Sequence, residues 1–319
     1  MTHAAASPHA FPVLRDGDAL PPGLAGPVVA IGNFDGVHRG HRAVIGTAVD
    51  QARSLGKPAL ALTFEPHPRA FFRPGEPIFR LTPEPMKLRR LAQTGLDGAV
   101  VLAFDAALAA RDAEAFVADI LVAQLGVSMV VAGYDFHFGK GRGGSPLFLR
   151  EAGRRHGFDV EIVAPLLDDG AQISSSVIRA ALAQGRVEQA AHMLGAPFEV
   201  AAEVIHGDKR GRDLGYPTAN MRLDPAMTLA HGIYAVMVTI DGTRHKGVAS
   251  FGRRPTFDDG APRLETFVFD YDGDLYGRTL TVAFHAWLRP ELKFDGIAAL
   301  IAQMDIDSVK ARAALERAG

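Results

Sequence analysis

The sequence predicts an α/β protein of two domains, a parallel sheet with helices on both faces followed by a small antiparallel β-barrel. From Val28 to about Arg186, short apolar strands alternate with amphipathic helical segments, which is typical of a mostly parallel sheet. After Leu194, strand-like segments are separated by glycine-rich or Asp-Gly turns instead of helices. Every second residue from Leu280 to Phe284 is apolar, as expected for a half-buried antiparallel strand.

Composition sets the broad class of the protein. Its 319 residues, 48% of them apolar, are enough to fill two hydrophobic cores. A formal net charge of -2 gives no general basic field for nucleic acid, and the absence of cysteine excludes disulfides and thiol nucleophiles. Residues 1–12 show no secretory signal, and no apolar run approaches the ~18 residues of a membrane helix. We therefore expect a soluble cytoplasmic protein without nucleic acid or membrane partners; its oligomeric state is left open.

The first domain is predicted to follow a loose lead-in, residues 1–26, that is rich in Ala, Pro and Gly. Helices are expected from Val44 to Leu55 and around Phe116–Leu121, where apolar residues recur at helical spacing, and after Thr82, which is followed by proline. Ligands of such a sheet bind beyond the carboxyl ends of its strands. The predicted strands are Pro27–Ile31, Ala59–Thr63, Gly98–Phe104 and Ser128–Ala132.

The second domain is predicted to be built from antiparallel strands and to end in helical segments after Phe294. We assign residues 1–186 to the first domain and residues 187–319 to the second, with the barrel itself starting near residue 195. The predicted strands are Phe198–Ile205, Ile233–Ile240, Leu264–Phe269 and Thr279–His285.

A glycine-rich stretch, Gly32–His41, joins the first strand to the first helix and is called the phosphate loop below. Free N–H groups and the positive end of the helix dipole meet there, so the stretch predicts phosphate binding. It matches neither the P-loop nor the dinucleotide-binding pattern. His38 and His41 could instead ligate zinc, but no Glu stands in the zincin position and no third ligand is evident. Asn33 and Asp35 either shape the loop or face the ligand.

Three further segments are predicted to lie at the same edge of the sheet. Thr63–Pro68 follows the second strand, and Gly133–Ser145, which contains five glycines, follows the fourth. Ile173–Arg179 places three serines at a helix start and an arginine on its first turn, and such groups bind phosphate. Taken singly, the serines could be an N-cap and the glycine-rich segment a mobile linker. Their common position at one edge favours a ligand site.

These segments resemble a known family. His38–His41 is similar to the His-x-Gly-His motif of the nucleotidyltransferase superfamily, and Ile173–Arg179 resembles its serine-rich counterpart. The strings GNFDGVHRGH, TFEPHP and GYDFHFGKGRGGS narrow the resemblance to bacterial bifunctional riboflavin kinase/FAD synthetases, whose second activity is FMN adenylyltransferase. The resemblance implies that the first domain is a Rossmann-like nucleotidyltransferase domain. It would transfer AMP from ATP to FMN, with FAD and pyrophosphate as products.

The resemblance also assigns roles in adenylyl transfer. His38 and His41 would be the catalytic residues, contacting the α- and β-phosphates of ATP. The groups expected at the pyrophosphate end are Ser174, Ser175, Ser176 and Arg179. The remaining expected contacts to nucleotide or flavin are Asn33, Asp135 and Arg142.

The second domain carries its own candidate site. Residues 206–220 read HGDKRGRDLGYPTAN, a glycine-rich and basic loop that could fold over polyphosphate. Glu265 lies in an otherwise apolar strand, either as an outward residue of an edge strand or as a poised base. With Asp274–Gly277 (DLYG) and Leu288–Phe294 (LRPELKF), these strings resemble the riboflavin kinase module. That module is a six-stranded antiparallel β-barrel with a C-terminal helix.

By this resemblance the second domain phosphorylates the ribityl 5′-hydroxyl of riboflavin with ATP and Mg²⁺. Glu265 would take the hydroxyl proton, because a hydroxyl is a poor nucleophile at neutral pH. Arg289 is assigned as a flavin contact. The residues assigned to ATP are Gly211, Gly215, Thr218 and Asn220, of which Thr218 and Asn220 would also bind Mg²⁺.

Two positions depart from the family pattern. Ser250-Phe251 stands where Asn-Ile is usual, and Thr266-Phe267 where Val-His is common. We expect these changes to affect flavin affinity or barrel packing more than chemistry. Two alternative functions are a transferase for another phosphate-bearing substrate and a flavin carrier without catalysis. The kinase strings argue against the first, and the retained site residues argue against the second.

Overall fold

The computed structural model describes residues 11–168, 170–206, 215–253 and 262–317, which pack as two compact units. The described residues of unit 1 fall within Met1–Ile78 and Thr82–Ile173, and those of unit 2 within Phe79–Leu81 and Ser174–Gly319. The division predicted after residue 186 stays a prediction. Among the described residues, no helix is both long enough and apolar enough to span a membrane.

Unit 1 is organised around a six-stranded sheet in the order β1-β4-β3-β2-β5-β6, in which every neighbouring pair is parallel. The four strands predicted from the sequence correspond to β2–β5, which are buried apolar runs. The lead-in was predicted to be loose, and this was wrong for its described part, because β1 pairs there with β4 as an edge strand. The strands are Val13–Arg15, Val28–Ile31, Ala59–Glu65, Gly98–Ala103, Met129–Gly133 and Asp159–Val163.

Helices cover both faces of this sheet, as predicted. The apolar face of α1 packs in one core cluster through Val44, Ile45 and Ala48, and Phe116–Leu121 packs in the cluster on the other face. A short antiparallel pair, β7 (Leu167–Asp168) with β8 (Ala171–Gln172), follows β6. In order, α1–α6 are Arg39–Leu55, Pro68–Phe72, Glu84–Leu91, Ala106–Ala110, Ala113–Ala115 continued by a π-helix at Phe116–Gln124, and Pro146–His156; single 3₁₀ turns are at Pro22–Leu24 and Lys140–Arg142.

Unit 2 contains a closed antiparallel barrel in the order β10-β13-β12-β11-β14-β9. This confirms the predicted six-stranded barrel and its C-terminal helix. Two of its strands, β10 and β12, were not predicted, because both mix polar residues with apolar ones. The strands β9–β14 are Phe198–Ile205, Thr218–Arg222, Gly232–Ile240, Thr243–Arg253, Pro262–Val268 and Thr279–Arg289, and the helices α7–α9 are Ser175–Ala183, Val187–Leu194 and Ile297–Arg317.

A buried ion pair fixes α9 to the barrel. Arg289, the last residue of β14, donates from Nε and Nη2 to the Asp307 carboxylate at 3.0 and 2.6 Å. The two side chains are only 12% and 3% exposed, and Gln303 donates a further hydrogen bond to Asp307 at 2.9 Å. Loss of one partner would leave a buried charge unpaired, which costs far more than loss of an exposed pair.

We expect Asp307→Ala to lower the free energy of unfolding of unit 2 by about 3–5 kcal/mol. Trp287 is the single tryptophan of the chain and lies on β14, so its fluorescence during urea unfolding reports on this unit. The matched control is Asp270→Asn, which removes the charge of an exposed salt bridge to Arg312 of the same helix, 2.9 Å long, and keeps a residue type that tolerates the left-handed φ of 56° at this position. The control should change the midpoint little. Equal shifts in the two variants would contradict the anchoring role of Asp307.

Candidate active sites

The phosphate loop leaves the carboxyl end of β2 through a strained turn. Its backbone enters the left-handed region at Phe34 (φ 50°), Gly36 (φ 94°) and Val37 (φ 43°). A positive φ is unusual for any side chain and is an outlier for a β-branched one, so the surrounding structure must hold the turn. The Phe34 and Val37 side chains are buried in the core cluster beneath α1, which fixes the turn from the inside.

Hydrogen bonds from Thr82 and from α3 hold the same turn. The Asp35 carboxylate, which is buried, accepts from the Thr82 N–H at 2.9 Å. Thr82 Oγ1 in turn accepts from the Gly36 N–H at 2.8 Å, and Arg90 Nη1 donates to the Gly36 carbonyl at 3.3 Å. Of the two roles left open for Asp35, the structure favours loop shaping. Asn33 has an exposed side chain on the loop surface.

The two predicted histidines lie together at the start of α1. His38 caps the helix, with Nδ1 accepting from the His41 N–H at 3.2 Å, and the two rings stack with centroids 3.6 Å apart. Because Nδ1 accepts, the proton of a neutral His38 ring is on Nε2. His41 Nδ1 is buried without a hydrogen-bond partner among the described residues. An anion placed at this helix terminus would meet two imidazoles and the free N–H groups of the first turn.

Burial lowers the pKa of His41 well below its ordinary value, and the charges of His38 and Lys87 lower it further. His41 is therefore neutral at neutral pH before a ligand arrives. A polyphosphate at the loop would reverse this balance by adding negative charge next to the ring. Within the described ranges, no three His, Asp or Glu side chains are grouped in a way that would hold a metal ion.

The sequence did not single out Lys87, which forms a buried ion pair beneath the loop with Glu65 of the predicted Thr63–Pro68 segment. Lys87 Nζ is 2.6 Å from Glu65 Oε1, and the side chains are 1% and 12% exposed. Lysine is almost always at the surface, so composition and periodicity gave no reason to place Lys87 inside. The signal that could have found it is its position between Met86 and Arg90 on the buried face of α3.

The Gly133–Ser145 segment forms a loop with internal backbone pairing. Phe138 and Gly144 pair across it, and its 3₁₀ turn ends at Arg142. Gly139 has a φ of 71°, and a Cβ there would lie 2.6 Å from the Ala113 nitrogen, so no larger residue fits. Asp135 and Arg142 both project exposed side chains from this loop. Their ligand contacts stay predictions.

The serine segment belongs to unit 2. Ser174 caps α7, with its hydroxyl accepting from the Val177 N–H at 3.4 Å, so the N-cap interpretation holds for this serine. Arg179 donates from Nε to the Phe79 carbonyl at 2.6 Å. Ser175 is half-buried and Ser176 is exposed. The phosphate-binding roles of the four residues stay predictions.

In the barrel, the predicted kinase residues share one face of neighbouring strands. Asn220 on β10 lies directly opposite Glu265 on β13, and Ser250 on β12 lies opposite Glu265 from the other side. Thr218 is two residues before Asn220, so its side chain is on the same face. Asn220 Nδ2 donates to the Thr218 carbonyl at 3.3 Å, which leaves Asn220 Oδ1 as an acceptor. A hydroxyl, an amide oxygen and a carboxylate are thus brought together.

The two departures from the family pattern affect different places. Ser250 is the cross-strand neighbour of Glu265, and Phe267 packs against Tyr216 with ring centroids 5.0 Å apart. Phe251 and Thr266 are fully buried in the barrel core. Thr266 Oγ1 has no hydrogen-bond partner among the described residues. The expected effects on flavin affinity and packing stay predictions.

The other predicted kinase residues are Gly211, Gly215 and Arg289, and the two that the structure describes lie outside β10 and β13. Gly211 lies outside the described residues, whereas Gly215 is exposed and has a left-handed φ of 80°. The Arg289 guanidinium pairs with Asp307, as described above, so its nitrogens already serve the anchor of α9. The flavin contact of Arg289 stays a prediction.

The chain is similar to known proteins over nearly its full length. Residues 21–177 match the FAD synthetase family, and residues 194–315 match the riboflavin kinase family. The bifunctional riboflavin kinase/FMN adenylyltransferase of Pseudomonas fluorescens is 43% identical over 299 residues, covering 92% of this chain and 94% of the relative. The proteins of the same name from Escherichia coli (strain K12) and Listeria monocytogenes are 40% and 39% identical, each covering 90% of this chain and 92% and 91% of the relative.

A solved structure is also similar. It is described as a macrolide-efflux protein from Streptococcus pneumoniae, and it matches with a TM-score of 0.84 and 32% identity. The match covers 94% of this chain and 98% of that one, so the two proteins share their fold throughout. Macrolide efflux is attributed to the Streptococcus pneumoniae protein and not to this chain.

Proposed function

The chain belongs to the bifunctional riboflavin kinase/FMN adenylyltransferase family, and we propose from this membership how its residues divide the two reactions. The protein phosphorylates riboflavin with ATP to FMN and adenylylates FMN with ATP to FAD and pyrophosphate. One observation carries the assignment: the FAD synthetase match contains the phosphate loop, and the riboflavin kinase match contains Glu265. Riboflavin, FMN and ATP are its small-molecule substrates, and we propose a cytoplasmic location because both reactions consume ATP.

In the kinase reaction, Glu265 acts as the general base. It accepts the proton of the ribityl 5′-hydroxyl while the hydroxyl oxygen attacks the γ-phosphorus of ATP and the bond to the β-phosphate oxygen breaks. The pairing of Glu265 with Asn220 supports this role, since it sets the acid next to a residue that is expected to hold the phosphates. Gly211 and Gly215 would contact the ATP phosphates through their backbone.

Two side-chain oxygens on β10 are suitable ligands for a magnesium ion. The Thr218 hydroxyl and Asn220 Oδ1 are oxygen ligands on one face, and Mg²⁺ in such enzymes is held by one or two protein groups together with substrate phosphates. When bound, Mg²⁺ neutralises phosphate charge during the transfer. Orientation of ATP relative to Glu265 is then the task of Thr218 and Asn220.

In the adenylyl transfer, no protein nucleophile is needed, because a phosphate oxygen of FMN attacks the α-phosphorus of ATP. The bond from that phosphorus to the β-phosphate breaks, and pyrophosphate leaves. His38 and His41 stabilise the charge that develops on the transferring and leaving groups. The orphaned Nδ1 of His41 supports this role. The residues proposed to hold pyrophosphate are Ser174, Ser175, Ser176 and Arg179. Those proposed to contact nucleotide or flavin in this reaction are Asn33, Asp135 and Arg142. In the kinase reaction, Arg289 is the proposed flavin contact.

We expect His41→Ala to reduce FAD formation from FMN by about 10²–10³-fold, because it removes transition-state stabilisation at the phosphates. FMN formation from riboflavin should remain close to the wild-type rate. Both rates are measured by chromatographic separation of the flavins with the full-length protein. The matched control is His156→Ala, a histidine of the same unit that pairs at the surface with Glu114. Loss of both activities in folded His41→Ala protein would contradict two separate sites.

Glu265→Gln should have the opposite effect. We expect FMN formation to fall by about 10²-fold or more, since the glutamine amide cannot take the hydroxyl proton. FAD formation from supplied FMN should be unchanged. The control is Glu199→Gln, a carboxylate on β9 of the same barrel. Unchanged FMN formation in Glu265→Gln would exclude Glu265 as the base.

A further inference from the structure

Lys87 lies beneath the phosphate loop and makes a set of contacts that the function proposed above does not use. Its side chain is 1% exposed, yet it carries an ammonium group. Besides Glu65 Oε1, Nζ contacts Thr63 Oγ1 at 3.0 Å, the Phe64 carbonyl at 3.3 Å and the Asn33 carbonyl at 3.4 Å. A buried ammonium requires acceptors of this kind.

These partners lie at the carboxyl ends of two neighbouring strands. Asn33 follows β2 on the phosphate loop, and Thr63 and Glu65 end β3. Thr63 Oγ1 also donates to the Asn33 carbonyl, at 3.1 Å, so Lys87 and Thr63 hold the same loop carbonyl. One ammonium therefore fixes the spacing between the two strand exits at the edge of the sheet where ligands bind.

A purely structural role would not require a charge at this position. A methionine has a similar length and would fill the space without the cost of desolvating an ammonium and a carboxylate. The Lys87 charge also reaches the catalytic loop. The pKa of His41 is lowered first by burial and then by His38 and Lys87, the charged groups that act on it from its own helix and from α3.

We propose that Lys87 is a positioning residue of the adenylyl-transfer site, whose ammonium holds the Asn33 carbonyl and the Glu65 carboxylate in the arrangement that receives the triphosphate. This inference rests on the function proposed above. Lys87 touches the loop and the end of β3, and it acts on ATP through them.

The test uses the double variant Lys87→Met/Glu65→Gln in the full-length protein, because it removes the charge without leaving an unpaired buried carboxylate. We expect kcat/KM for ATP in FAD formation to fall by about tenfold or more, since a slightly misplaced loop weakens transition-state contacts. FMN formation should stay within about twofold of wild type, because the barrel performs it. Lys57→Met, at an exposed lysine of the same unit, is the matched control and should leave both rates unchanged.

A second readout separates positioning from simple structure. In the ligand-free protein, the His41 ring resonance, identified by its loss in His41→Gln, should titrate below the ordinary histidine range. In the single variant Lys87→Met its midpoint should move upward, because a positive neighbour is removed while the Glu65 carboxylate is kept. This readout needs no substrate, so it stands even if His41→Ala leaves FAD formation intact and the proposed function fails.

Three results would each overturn the proposal: wild-type FAD formation in the folded double variant, an unchanged His41 midpoint in folded Lys87→Met, or a first unit of the double variant that fails to fold. Each would mean that Lys87 only supports the fold. A fall in kcat/KM together with an upward shift of the His41 midpoint would support it.

Discussion

The left-handed turn at Phe34–Val37 is the constraint on which the first site depends. A valine with positive φ is kept only where packing and hydrogen bonds outweigh the strain, and here the core, Thr82 and Arg90 supply both. The turn aims the chain so that His38 can cap α1 and stack on His41. Buried Asp35 and Lys87 hold it from below, so the loop's exposed surface is left for a ligand. The strained turn thus holds the start of α1 in a geometry suited to binding phosphate.

In the barrel, the candidate site residues are positioned by strand pairing. Antiparallel pairing, not a strained turn, brings Asn220 and Glu265 side by side, because the register of β10 and β13 places them opposite each other. A one-residue slip of either strand would put the two side chains on opposite faces of the sheet, so the register itself is a determinant of the site. The two reactions also place different chemical demands on their sites. The kinase must activate a hydroxyl and needs a base, whereas the adenylyltransferase receives a phosphate nucleophile and needs only alignment and charge stabilisation.

The fold class and the glycine-rich turn between β2 and α1 could be predicted because each follows from local pattern. The roles of the phosphate loop and of the kinase residues come from position and from family strings, and they stay predictions. The missed strands show where pattern fails: β1 is three residues long, and β12 contains polar residues and glycine, so neither has a strong period. Lys87 and Asp307 were missed for another reason. A buried charge is defined by partners distant in sequence, Glu65 and Arg289, and no local window contains both members of either pair. Arg289 shows the converse, since a motif residue assigned to flavin is engaged in anchoring a helix.

The measurement that tests the two-site account most directly is a time course of purified full-length protein with riboflavin, ATP and Mg²⁺, with flavins and nucleotides separated by chromatography. The account predicts that FMN forms from riboflavin with release of ADP, that FAD forms from FMN with release of pyrophosphate, and that each FAD requires two molecules of ATP. FMN that accumulates without FAD, FAD formation that requires no pyrophosphate release, or the absence of any new flavin would contradict it.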